Sequence, residues 1–271
     1  MKFKTLHTFL LFIAATLWTG RIDAQQLKID GNDVNITNDA TLTGAWLKSG
    51  KVSWNATTKT LTLDNAKIEN SSTPYNTLLV SGLDITIKLI GSSDIRATSS
   101  EAVRLMNSKT TITGGGTLKV NAGFTAVYLH HDATLTIDGC TVDIDGKLQG
   151  WSLGDETDKN NHLVVKNATL KATSVNRLSS ITLTACKMQS PDGGKIVGDE
   201  FGKFVATADG SEARNVVIVP DKSNSIARAN VKNSCEAKAI YSMDGHLQPA
   251  LGKGINIVRT SDGKTVKVLK K

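Results

Sequence analysis

The chain is short of aromatic residues, of cysteine and of long apolar runs, and each shortage narrows what it can be. Aromatics make up 5% of its 271 residues. That is too few for helices packed around ring-filled cores, whereas Gly, Thr, Asn, Asp and Ser abound, which favours short strands joined by turns. Three cysteines occur, Cys140, Cys186 and Cys235, an odd number that allows at most one internal bridge. Past the N-terminus no stretch approaches the ~20 apolar residues of a membrane-spanning helix. A uniform basic field is lacking too. The net charge is +7, but residues 25–219 sum to −1 while residues 220–271 sum to +6. A basic excess confined to the tail argues against a nucleic-acid-binding body.

What is present begins with an export signal. Lys2 and Lys4 precede the apolar run Phe9–Trp18, and Ile22-Asp23-Ala24 supplies a small residue for cleavage. Residues 1–24 therefore read as a secretory signal peptide, with the mature chain starting near Gln25. No cysteine follows the run at once, which disfavours a lipoprotein. The expected location is extracellular or on the outer cell surface.

The strongest signal is an internal repeat. Thr60–Ile68 (TLTLDNAKI), Thr134–Val142 (TLTIDGCTV), His162–Leu170 (HLVVKNATL) and Ser180–Met188 (SITLTACKM) align without gaps, with Thr111–Leu118 (TITGGGTL) looser. Each reads as a strand, a tight polar bend and the start of another strand. A third strand recurs as Ala102–Leu105, Ala126–Leu129 and Gly150–Leu153. Strand alternation turns Leu61, Leu63, Val103, Leu105, Val127, Leu129, Leu135, Ile137, Trp151, Leu153, Leu163, Val165, Ile181 and Leu183 inward. A register that recurs at near-constant spacing fits a coil stacked on itself better than a sandwich, because each coil buries its apolar side chains only against its neighbours. The predicted fold is all-β: a right-handed single-stranded parallel β-helix over residues 25–200 with an N-terminal cap, connecting strands at 201–219, and a small β tail at 220–271.

The stack also bears on the thiols. Cys140, Ala168 and Cys186 share one slot in successive coils, so the two cysteines lie two coils apart, roughly 9–10 Å, beyond the ~7 Å reach of a disulfide. Both are expected reduced and buried. Trp46 and Trp54 are expected to seal the cap.

The search for chemistry finds little. A hydrolase needs paired carboxylates on one outward face, and the outward column Leu79, Arg104, Tyr128, Ser152 has none. A lyase needs a carboxylate cluster for calcium and a basic residue. His130 and His131 are adjacent and should point apart on a strand. Asp155, Glu156 and Asp158, in the insertion Gly154–Asn161, could offer oxygens to calcium, but a solvated loop is the plainer reading. Tyr128 beside Arg104 could stack a sugar ring and bond its hydroxyls. An enzyme is not expected.

Two resemblances add to this. The hairpin Gly50–Ala66 (GKVSWNATTKTLTLDNA) followed by units such as LTIDGCTVDIDG resembles secreted bacterial carbohydrate-binding domains built as parallel β-helices, over residues 27–194. That resemblance implies a polysaccharide ligand and often calcium. No Asp-Asp or Gly-His-Gly motif of the polygalacturonase type accompanies it. Residues 239–271, with Ile240–Gly245, Gly252–Arg259 and Lys264–Lys271, are similar to the C-terminal sorting tails of type IX secretion cargo, although Asn256 replaces the usual aromatic. That implies secretion machinery as a partner; without sorting, the location would be periplasmic. The expected function is a non-enzymatic exported β-helix that binds polysaccharide. The alternatives are a structural or adhesin-like surface protein and, further off, a polysaccharide lyase or hydrolase.

Overall fold

A computed structural model describes residues 24–70, 76–98, 101–150, 158, 160–221, 237–260 and 263–270. It divides into two compact units, residues 1–220 and 221–271. No helix occurs among the described residues. None is therefore long and apolar enough to cross a membrane.

The first unit opens with β1 (Gln26–Ile29), β2 (Asn32–Asp33), β3 (Ala40–Leu42) and β4 (Leu47–Asn55). The coils follow as β5 (Thr60–Glu69), β6 (Leu78–Ser81), β7 (Ile85–Ile90), β8 (Ser92–Arg96), β9 (Val103–Met106) and β10 (Lys109–Thr113). They continue through β11 (Thr117–His130), β12 (Thr134–Asp138), β13 (Thr141–Gln149), β14 (His162–Lys166), β15 (Thr169–Asn176), β16 (Ser180–Thr184) and β17 (Cys186–Ser190). Then come β18 (Lys195–Asp199), β19 (Gly202–Ala206) and β20 (Val216–Pro220).

The coils form a parallel β-helix of about four turns, built on three ladders. One runs β5–β7–β10–β12–β14–β16. The second runs from the C-terminal half of β5 through β8 and the N-terminal halves of β11, β13 and β15. The third joins β6, β9 and the C-terminal halves of β11, β13 and β15.

Alternation places the core inside. Leu61, Leu63, Val103, Leu105, Val127, Leu129, Leu135, Ile137, Leu163, Val165 and Ile181 are buried, and Leu183 in the last coil is partly so. Each buried Leu, Ile or Val stabilises the stack by about 1.5–3 kcal/mol before conformational entropy is subtracted. Some buried positions are polar instead. Thr110 and Ser93 are 1% and 2% exposed, and Thr77 is fully buried. Ser93 Oγ accepts the Ala66 N–H at 3.0 Å and Thr77 Oγ1 donates to the Arg96 carbonyl at 2.8 Å.

Both ends of the stack are covered. At the start, antiparallel β3, β4 and β5 bury Trp46 and Trp54, and the Trp54 indole N–H donates to the Ile36 carbonyl. β1 runs antiparallel to β6. At the other end β20 runs antiparallel to both β15 and β17, with Val216 and Ile218 fully buried. β20 is thus a covering strand built into the core of the coils as well as a connection.

Three expectations of register need correction. Thr60 and Thr111 sit in the slot of Thr136, not Thr134. The first and the loosest repeats are therefore displaced by two residues from the other three. The inward assignments survive because a two-residue slip preserves the face. The third correction is the recurrence of Gly150–Leu153. The partner of Val127 is Leu148 and that of Tyr128 is Gln149, so Leu148 holds the slot expected for Trp151. The cause is a tighter corner in β13. Gly146 passes it at φ 143°, where a Cβ would lie 2.8 Å from that of Ala126. Trp151, Ser152 and Leu153 lie outside the described residues.

Cys140 and Cys186 are free thiols. Their slots are set by Asp138 opposite Lys166 and Lys166 opposite Thr184. Cys140 is buried, and burial pushes its thiol up to about 11, with the neighbouring Asp138 charge adding to the effect against a backbone hydrogen bond. Cys186, in the last coil, is only half-buried, contrary to expectation. Cys235 lies outside the described residues.

The second unit is an antiparallel sheet of β21 (Ala237–Tyr241), β22 (Leu247–Gln248), β23 (Gly254–Thr260) and β24 (Thr265–Lys270), ordered β22–β21–β23–β24. Asn256 is 1% exposed. Its side chain accepts from the Gly252 N–H and donates to the carbonyls of Gly252 and Gly254, so it closes the turn that leads into β23.

Candidate functional site

Two outer faces of the coils carry chemistry. The first lies on the second ladder. Register there sets Lys67 beside Asp94, Asp94 beside Lys119, Lys119 beside Asp143, and Asp143 beside Lys171. Charge alternates along this column, one residue per coil. A parallel column runs Glu69, Arg96, Asn121, Asp145. Asn121 donates to Asp145 at 2.6 Å. No ion pair within 4.0 Å joins Asp94, Lys119, Asp143 and Lys171 to one another among the described residues. Opposite charges one strand apart favour the stack by about 0.2–1 kcal/mol per pair.

These columns floor an open groove of about 570 Å³, bounded at its far end by Asn215, Val216 and Val217. The outward column of Leu79, Arg104 and Tyr128 carries no carboxylate, whereas Asp94, Asp143 and Asp145 share this outward face. The signal was the period-2 run on either side of each apolar residue, as in Thr141-Val142-Asp143-Ile144-Asp145.

The second face lies on the third ladder. Leu79, Arg104 and Tyr128 align as expected, and the column continues to Gln149 and Asn176. The Arg104 guanidinium stands 5.3 Å from the Tyr128 ring centroid, within cation–π range. His130 stacks on the same ring at 5.3 Å with 26° between planes. Tyr128 is 7% exposed, so its ring is engaged by neighbours and offers little surface to a sugar.

Beyond it the two histidines do not point apart. His130 ends β11, and His131 then adopts φ 48° and Asp132 φ 56°. The left-handed turn breaks the alternation and brings the two imidazoles together, ring centroids 3.7 Å apart. Asp158 meets them there. Its side chain is fully buried, not part of a solvated loop, and its Oδ2 lies 3.1 Å from His130 Nε2. Its Oδ1 accepts from the His131 backbone N–H at 2.6 Å and from Asn161 Nδ2 at 2.7 Å. Asn161 Oδ1 in turn accepts from the Ala133 N–H at 3.1 Å. Asp155 and Glu156 lie outside the described residues, so of the calcium candidates only Asp158 has a described environment.

The fold and these faces define a parallel β-helix with an ordered charge ladder in an open groove. No family model, curated protein or solved structure matches the chain.

Proposed function

We propose that the protein is an exported, non-enzymatic β-helix of the cell surface or extracellular space that binds polysaccharide along the groove of the second ladder. The observation that carries this reading is the groove's mixed lining: Asp94, Lys119, Asn121, Asp143, Asp145 and Lys171 alternate donors and acceptors at strand spacing. Sugar hydroxyls donate and accept in equal measure, so such a row suits a neutral or weakly charged glycan better than a polyanion, which would need one sign of charge. Arg104 and Tyr128, occupied with each other, would contribute at the margin. The N-terminal signal and the sorting-like strands of residues 239–271 support export.

The test is a glycan array followed by calorimetry on hits. Asp143→Asn with Asp145→Asn should weaken binding at least about tenfold, the loss of ~1.4 kcal/mol expected for two hydrogen-bonding charges, with the melting temperature kept. Binding that is unchanged in this variant removes the groove from the reading. No binding to any glycan favours a structural or adhesin-like role. The three carboxylates of the groove favour one further reading, a hydrolase, which release of reducing ends from a bound glycan would reveal.

A further inference from the structure

We infer that His130, His131 and Asp158 form a site for a divalent transition-metal ion of the zinc and cobalt class. One nitrogen of each imidazole and one carboxylate oxygen lie within 4.8 Å of one another. Tetrahedral ligand atoms around zinc sit about 3.3 Å apart, given metal–ligand bonds near 2.0 Å. The 3.1 Å between His130 Nε2 and Asp158 Oδ2 already meets that spacing, and only the His131 ring needs to close in.

The second line of support is the carboxylate itself. Asp158 is fully buried, and its Oδ2 faces His130 Nε2 at 3.1 Å without an aligned hydrogen bond among the described residues. A buried carboxylate oxygen without an aligned hydrogen bond is costly, and a cation held between it and the imidazoles relieves it. Meanwhile Oδ1 is fixed by the His131 N–H and by Asn161, the kind of outer support that orients a metal-bound carboxylate. The backbone contributes as well. Consecutive left-handed residues at His131 and Asp132 are uncommon outside glycine, and here they place both imidazoles on one side.

The donor set decides the metal. Calcium takes six to eight oxygens, whereas two imidazoles and one carboxylate suit zinc, cobalt, nickel or copper. Three protein ligands leave a fourth position for water or a ligand. A bound ion would also tie Asp158 to His131, just past the end of β11 and 27 positions earlier in the chain.

The experiment uses the full purified chain, stripped with chelator and titrated with Co²⁺. Visible d–d absorption should appear at one equivalent, should be displaced by Zn²⁺, and should persist in excess Ca²⁺. The melting temperature should rise with Zn²⁺ concentration. His131→Asn tolerates the left-handed backbone and keeps the N–H to Asp158; it should weaken Co²⁺ binding at least about tenfold. His130→Gln should do the same, while His246→Asn, an exposed histidine of the second unit, should change nothing. The site is disproved if wild-type protein shows neither absorption nor a melting shift, or if both ligand variants bind as tightly as wild type. Displacement of cobalt by Ca²⁺ would also overturn it, in favour of an oxygen site.

Discussion

Ala185 sits at φ 50° at a corner of the last coil, in the slot that Gly139 and Asn167 fill in the coils before it, at φ 66° and 43°. Glycine has no Cβ to clash there and asparagine is among the few side chains that tolerate the left-handed region; alanine is strained. Ala185 is exposed, so its methyl brings no packing in return. Ala185→Gly should therefore stabilise the protein by about 0.5–1 kcal/mol in urea unfolding, after the extra entropy of glycine in the unfolded chain is discounted. A loss of stability would mean that the corner is held by contacts of the methyl rather than by backbone geometry. The same conformation at His131 explains why the histidine cluster was not legible in the sequence. Alternation holds only while the backbone stays extended, and nothing in His130-His131-Asp132 marks the turn as Asn-Gly would. Asp158 was hidden for a related reason: its acidic, polar surroundings read as solvent-exposed, whereas its partner lies 27 positions earlier in the chain.

At the level of strands, much was legible because every inward slot of β12, β14 and β16 holds an apolar residue. Leu135, Leu163 and Ile181 align as the repeats suggested. The register of the earlier coils was not, because Thr110 fills an inward slot with a polar residue and shifts the apparent start of its repeat by two. The shortened corner at Gly146 was likewise invisible, since spacing alone favoured Gly150–Leu153 as the next turn. The role of β20 could not be read either. Val216–Pro220 looks like any short apolar strand, and only its antiparallel pairing with β15 and β17 makes it a cover for their open edges. Such edges otherwise recruit other chains. Ile218→Asp places an unpaired charge in a fully buried position and should cost at least ~3 kcal/mol and promote self-association. Light scattering and urea unfolding would measure both. A cost below about 1 kcal/mol with a monodisperse protein would show that the coils are closed without β20.

At the scale of the whole molecule, the division at residue 220 coincides with the change from a near-neutral body to a basic tail. Coils are stabilised by their neighbours and not by distant segments. Removal of residues 221–271 should leave the melting temperature of the first unit within a few degrees of the full chain, as followed by circular dichroism. If the tail sorts the protein, the same truncation should retain it in the periplasm of a host with type IX machinery, whereas delivery to the surface without the tail would end that reading. The binding groove depends on the coils being stacked in the stated order, since the charge ladder exists only if Lys119, Asp143 and Lys171 are successive neighbours. Engineered cross-linking tests this most directly. In a background with Cys140, Cys186 and Cys235 replaced by alanine, Lys119→Cys with Asp143→Cys places two thiols on adjacent strands, about 4.8 Å apart along the backbone, within disulfide reach. Lys119→Cys with Lys171→Cys places them about 9–10 Å apart, beyond it. Mild oxidation followed by mass spectrometry should give an intramolecular bridge in the first pair and none in the second; a bridge in the second pair, or none in the first, would contradict the stacking.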